Sequence, residues 1–385
     1  MGAQAAAGGL SFRGAPHQQA GLTLLRWTEL GEADHARWDD LGHCTSVANV
    51  FCQPWMVRAG LAHCDSEGRI VLAVVRDRHD AWLGVLPMSS PWRHGRAPMP
   101  NWRSWLHANQ FVGTPLVRSG CEGLFWQTLL EGLDHLDARH VALCLPSLPR
   151  DDAVVRALVA TCNDQGRLFR HDHEWSRPCL DARGSETSEQ DVRLRRRIAG
   201  LERKLEREWG EVRFEVSSDP DAIAGLIDPF LELERRGWKG QAGSALACEA
   251  GTDGYFRSVA AAAARRGRFI FATLSAGGQM VAISSVLLGS EWSYGFKMAY
   301  DEGAAACAPG VLLLDRLTGH LRATGAVPTD SCASGAGHPV NRLWLERLDF
   351  VDLCVAIGGP RRRAVFETMT WAEQVFHAVK PGKMA

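Results

Sequence analysis

Two stretches of the chain alternate apolar and polar positions in the same order. Residues 69–90, RIVLAVVRDRHDAWLGVLPMSS, hold a β-branched run, a polar turn at Arg78-His79-Asp80 and a second apolar run. Residues 268–289, RFIFATLSAGGQMVAISSVLLG, repeat that scheme with Gly277-Gly278 in the turn. Apolar runs of this length, bounded by turn residues, predict β-hairpins. Each is followed by a helical pattern and a further strand: GLFWQTLLEGLDHL then HVALCLP in the first half, GVLLLDRLTGHLRATG then VPTDSCA in the second. One order of elements met twice points to an α/β unit used twice, with a single large α/β domain as the alternative.

The joint lies after DARGSETSEQ, a polar, turn-prone run. In DVRLRRRIAGLERKLERE, Leu194, Ile198, Leu201 and Leu205 fall on one helical stripe. The expected organisation is therefore a flexible tail (1–20), a first domain (21–184), a linker helix (185–210) and a second domain (211–385). Arg193, Arg195, Arg196 and Arg197 are either a solvated face of that helix or a contact for phosphates or an anionic membrane surface.

The stretch WSYGFKMAY (292–300) predicts a strand with Trp292, Tyr294, Phe296 and Met298 on one face and Ser293, Gly295, Lys297 and Ala299 on the other. Small residues, GAAACA, then lead to Pro309-Gly310 and an apolar block. Proline suits a first helical turn, where its missing N–H has no partner to lose. A helix opening just past a strand end offers main-chain N–H groups to an anion. The dipole adds only ~0.3–1 kcal/mol, so those hydrogen bonds must carry the binding.

Composition narrows the field. The 385 residues are 46% hydrophobic with net charge −1, enough for two cores and without the positive balance that nucleic acid would favour. The opening MGAQAAAGGLSFRGAPHQQAG has no apolar core of signal-peptide length. No apolar run approaches the ~18–20 residues of a membrane span. A cytoplasmic location is expected, with peripheral contact at the inner membrane if the substrate is a lipid. The eleven cysteines are scattered, odd in number and without a C-x-x-C pair, which argues against a disulfide framework or a zinc site. His171, His173 and Glu174 in HDHEW read as a polar-alternating strand, so no metal is expected.

At this point a family resemblance bears on the reading. RRRIAGLERKLERE, GWKGQAGSAL, YFRSVAAAAARRGRFIFATLSAGGQMVAISSVLL, YGFKMAYDEGAAACAPGVLLLD and, in the first half, NQFVGTPLV resemble the CelD-like group of GNAT-fold acyltransferases, relatives of the FemA-type peptidyltransferases. The resemblance implies an α/β fold of tandem GNAT-like domains, mixed twisted sheets flanked by helices. It implies acyl-CoA as co-substrate, with no permanently bound cofactor and an acyl carrier protein as the alternative donor. The pyrophosphate would sit at Ala308, Pro309, Gly310 and Val311, and the pantetheine arm beside Phe296, Met298 and Ala299. The acceptor would lie at Trp238, Lys239 and Gly240. The usual phosphate signature, Q/R-x-x-G-x-G/A, is replaced by AAACAPG. TDSCASGAGHPVNRLWLER (329–347) resembles the bacterial ceramide-synthase type, which implies a sphingoid base as the amine acceptor.

Acyl transfer from a thioester to an amine needs a base, a polarised carbonyl and an acid for the thiolate. Asp330 or His338 is the candidate base; Lys297 and Tyr300 are candidates for polarising the carbonyl or protonating the thiolate. Each also has a plain structural alternative: a turn cap for Asp330, a loop histidine before Pro339, a snorkelling Lys297. No G-x-S-x-G elbow occurs, and Cys332 reads as a small buried thiol rather than a nucleophile. Trp238, Phe256 and Trp344 are candidates to line an apolar tunnel. The alternatives are acyl transfer to an amino sugar or exopolysaccharide, FemA-type aminoacyl transfer, and an inactive scaffold.

Overall fold

Both predicted hairpins form. In the computed structural model Val71–Asp77 pairs antiparallel with Trp82–Ser89, and Phe269–Ala276 with Gln279–Leu287. Gly277 and Gly278 both take positive φ, 55° and 81°, as a tight two-residue hairpin turn requires. The structure describes residues 4–6, 9–13, 20–136, 139–181, 189–325, 327–333, 335 and 337–379.

The chain divides into two compact units that interleave in sequence. The first takes the described residues within 1–57, 67–175 and 349–385; the second takes those within 58–66 and 176–348.

In the first unit, Gly9–Arg13, Ala20–Arg26, Val71–Asp77, Trp82–Ser89 and Asn101–Ser104 follow one another antiparallel. Asn101–Ser104 then runs parallel to Ala142–Pro149, which pairs antiparallel with Glu346–Ala356. The helices Glu122–Leu136 and Ala153–Asp164 bury Phe125, Trp126, Leu129, Leu133 and Leu158 in a core shared with Leu143, Leu145 and Leu353.

In the second unit, Val212–Ser217, Phe269–Ala276, Gln279–Leu287 and Ser293–Tyr300 form an antiparallel sheet. Thr329–Asp330 joins it parallel to Ser293–Tyr300 and antiparallel to the end of Phe169–Leu180. Strand alternation divides the core. Ile270, Ala272 and Leu274 pack with the leucines of the helix Pro309–Ala323 and with Ile198 and Leu205. Phe271 faces Phe230 and Phe256 of the helices Pro220–Arg236 and Ala250–Ala264.

Three expected boundaries change. The helix Glu189–Trp209 carries its stripe into the second unit's core, Ile198 and Leu205 buried, Leu194 and Leu201 partly so; four apolar side chains on one face bind it to a sheet rather than leave it as a linker. Residues from Asp349 onward belong to the first unit, because Glu346–Ala356 pairs with Ala142–Pro149. Within 1–20, strands occur at Gln4–Ala6 and Gly9–Arg13; residues 1–3, 7–8 and 14–19 lie outside the described residues.

Candidate active site

The strand Ser293–Tyr300 carries one residue more than its neighbour. Ser285 pairs with Lys297 and Val286 with Gly295, so Phe296 bulges out between them. The buried Ser285 hydroxyl holds the bulge, accepting the Lys297 N–H at 3.1 Å and donating to the Lys297 carbonyl at 3.2 Å. A bulge resets the alternation of faces. Phe296 stacks on Phe256, ring centroids 6.0 Å apart, whereas Met298 and Tyr300 pack with the Pro309–Ala323 leucines. The expected single face of Trp292, Tyr294, Phe296 and Met298 is thereby corrected.

The parallel pairing with Thr329–Asp330 covers only Ser293↔Thr329 and Tyr294↔Asp330. Past it the strands fork: Gly295 sits so close to the Ser331 carbonyl that a Cβ would lie 3.2 Å from it, and Cys332 turns away at φ 50°. Lys297 follows past the end of that pairing. Burial, then the charge of Lys239, pulls its ammonium from 10.5 down to about 8 against the counteracting Glu234.

Lys239 is fixed in place. Its ammonium donates to Glu234 Oε1 at 2.8 Å and to the Met298 carbonyl at 2.9 Å; the buried Glu234 also accepts the Leu246 N–H at 2.8 Å. Gly240 makes this turn possible, since a Cβ would stand 1.7 Å from the Arg235 carbonyl oxygen. Trp238 and Lys239 belong to a one-turn helix, Trp238–Gln241, rather than a loop. Trp238 leaves 54% of its surface exposed, and its main-chain N–H donates to Glu302 Oε1 at 3.3 Å. Glu234, Trp238, Lys239, Met298, Tyr300 and Glu302 wall a shallow, open cleft.

The helix Pro309–Ala323 starts beside this cleft. A Cβ on Gly310 would meet Tyr300 Cδ1 at 3.4 Å and Met298 Sδ at 3.5 Å. Ala308 precedes it in the left-handed conformation (φ 50°, ψ 55°), and no side chain caps it. Val311 and Leu312 both turn their N–H groups to the Ala308 carbonyl, and proline has none. Gly310 therefore offers the first turn's remaining amide, fewer than the array of donors expected.

Residues 192–333 match the family model of the acetyltransferase (GNAT) domain. That stretch lies within the second unit. The α/β fold class expected, tandem GNAT-like domains with mixed sheets flanked by helices, is the one observed. Among solved structures, the chain is similar to the C-terminal domain assigned to a lysylphosphatidylglycerol synthetase from Agrobacterium fabrum, at 13% identity over 88% of this chain and 96% of that one (TM-score 0.52). It is similar to FemX, at 10% identity over 84% and 96% (TM-score 0.52), and to L-PGS from Bacillus licheniformis, at 10% identity over 87% and 96% (TM-score 0.50). At these identities the likeness is one of fold. No curated protein sequence matches the chain. Among the described residues, no helix is long and apolar enough to cross a membrane.

The second unit brings several of the predicted residues together: Met298, Ala299, Tyr300, Trp238 and Lys239 line the cleft, Lys297 lies near enough to feel the Lys239 charge, and Pro309, Gly310 and Val311 open the helix beside it. His338 reaches the same region, near enough for the Lys239 charge, after burial, to lower its pKa. Its Nδ1 accepts the Val340 N–H at 3.2 Å. That bond assigns the neutral ring's proton to Nε2, so His338 presents a donor and the expected base role is corrected. Tyr300 is hydrogen-bonded to Glu302; burial first and Glu302 next raise its pKa, so the hydroxyl stays protonated.

Asp330 is not available as a base either. It is fully buried, and the Arg177 guanidinium engages both of its oxygens, Nε to Oδ1 at 2.6 Å and Nη2 to Oδ2, while Cys332 N–H donates to Oδ1 at 2.9 Å. Trp344 is core: its indole donates to Thr318 at 2.8 Å among the Pro309–Ala323 leucines. Phe256 lies in the aromatic core, so neither it nor Trp344 lines a tunnel, and Phe296, expected beside the pantetheine arm, stacks on Phe256 in that core. Sequence reading missed Glu234, Glu302 and Arg177. Glu234 did leave a signal, since it extends the buried stripe Ile223, Ile227, Phe230, Leu231 of its helix; an acid on an apolar stripe is an acid with a buried partner.

Proposed function

We propose that the GNAT unit transfers an acyl group from acyl-CoA to an amine, with a sphingoid base as the acceptor. The observation that carries this reading is a lysine with a lowered pKa, Lys297, at a strand fork beside an uncapped helix start. At pH near 8 a good fraction of Lys297 is neutral amine. It takes the proton from the acceptor's ammonium; the amine attacks the thioester carbonyl, the C–S bond breaks, the Lys297 ammonium returns its proton to the thiolate, and the nitrogen of the new amide releases its remaining extra proton to solvent. His338, through Nε2–H, serves as hydrogen-bond donor to the carbonyl oxygen. The Gly310 amide, and the helix dipole behind it, favour an anionic phosphate. Glu302 offers a counter-charge at the cleft, and the exposed Trp238 indole an apolar wall for the acceptor's chain.

The test is direct. Purified protein incubated with palmitoyl-CoA and sphinganine should yield dihydroceramide and free CoA by mass spectrometry. Product only with short acyl-CoA and amino sugars would reassign the acceptor to a polysaccharide precursor. Product only with charged tRNA would reassign the donor and make the chain an aminoacyl transferase. CoA alone should raise the melting temperature; no shift and no product would leave a scaffold.

A further inference from the structure

The proposed acyl transfer uses none of the first unit's polar side chains, yet that unit assembles a compact donor set. Cys144, Cys354 and His94 are all buried, and one ligand atom from each lies within 4.8 Å of the others. Cys144 and Cys354 are cross-strand partners in the pairing of Ala142–Pro149 with Glu346–Ala356. His94 enters from a tight turn closed by mutual main-chain bonds with Ala97, and its Nδ1 lies 3.3 Å from Cys144 Sγ. The other ring nitrogen, Nε2, is 2.7 Å from Asp172 Oδ2, and Arg170 Nε donates to the remaining Asp172 oxygen. Met99, Val141, Ala356 and Phe366 close the surroundings with apolar side chains.

We propose that Cys144, Cys354 and His94 bind one thiophilic metal ion of the zinc class. Zn–S bonds near 2.3 Å and Zn–N bonds near 2.1 Å put the donor atoms of a tetrahedral site roughly 3.5–3.8 Å apart, within small side-chain rotations of the observed spacing. Asp172 completes the arrangement, because a carboxylate on the far nitrogen of a ligating histidine fixes its tautomer and raises its basicity. Charge also balances: two thiolates and a neutral imidazole cancel a divalent cation, so an apolar box can hold it. On binding, two S–H bonds break, two metal–sulfur bonds form and two protons leave to solvent. The ion ties the turn at His94 to two adjacent strands, leaving one position for water. The absence of a C-x-x-C pair predicted no zinc site; here the donors come from positions 94, 144 and 354 and the fold alone joins them.

Full-length protein purified from zinc-supplemented cells and dialysed should retain close to one zinc per chain by elemental mass spectrometry. One equivalent of cobalt(II) added to the apo-protein should produce thiolate-to-cobalt charge-transfer absorption and intense tetrahedral d–d bands. Cys144→Ser and Cys354→Ser should each abolish those bands, Asp172→Asn should weaken affinity ~10–100-fold, and Cys162→Ser should leave them intact. Wild-type protein with negligible zinc and no cobalt bands overturns the proposal, whatever the variants do. So does a Cys144–Cys354 disulfide found by alkylation and peptide mapping in the freshly purified protein.

Discussion

On the proposed mechanism, Lys297 sets the chemistry and a stability cost together. Its folded pKa of about 8 lies below the ordinary 10.5 because the ammonium is taken from water and faces Lys239. Below pH 8 the lysine is charged in both states and the folded state bears the full penalty. Between 8 and 10.5 the unfolded chain holds a proton the folded one lacks, so wild-type stability rises with pH through that window. Lys297→Met should therefore raise stability at pH 7 by roughly 1–2 kcal/mol, discounted because the side chain is half-buried. The gain should shrink as pH climbs from 8 to 10.5, as melting curves across pH would record. The same variant should lose ~100-fold or more in kcat, and wild-type kcat should climb through pH 8. An unchanged kcat would remove Lys297 from the proton path.

At the scale of elements, two joints carry the site. Gly240 lets the helix Trp238–Gln241 fold back on the end of Pro220–Arg236, which seats Lys239 on the Met298 carbonyl. Gly240→Ala forces a methyl into the Arg235 carbonyl; a loss of about 1–3 kcal/mol is expected, with a raised KM for the amine, both from denaturation and kinetics on one preparation. The second joint is Arg177–Asp330, which locks Thr329–Asp330 to the end of Phe169–Leu180. Asp330→Asn strands a buried guanidinium and should cost about 3–5 kcal/mol, much of it recovered when Arg177→Met is added. Once corrected for the folded fraction, kcat should stay within about threefold. A hundredfold loss in fully folded protein would restore Asp330 as the base. The hairpins and helices of this region were legible because their periods of 2 and 3.6 are local. The Phe296 bulge was not, because an extra residue shows only against the strand beside it.

For the whole molecule, the interleaving of units matters most. Phe350, Val351, Leu353, Val355 and Ile357 are buried and complete the first unit's core. At ~1.5–3 kcal/mol each, they supply on the order of 10 kcal/mol, comparable to the ~5–15 kcal/mol by which a protein exceeds its unfolded state. Truncation after Leu348 should therefore leave the first unit molten, with strong ANS binding and lost near-UV circular dichroism; a well-folded truncated protein would contradict the assignment of 349–379. What the sequence determined alone is what short-range patterning dictates: two hairpin–helix–strand repeats, the stripe on Glu189–Trp209, and a proline-led helix start beside a polar strand end. The tertiary structure alone decided which polar groups are spoken for. Arg177 meets Asp330 across 153 residues, Trp344 turns inward to Thr318, and His94, Cys144 and Cys354 converge from three separate segments. Such pairings depend on strand order and register, and no local periodicity records which distant strand will lie alongside.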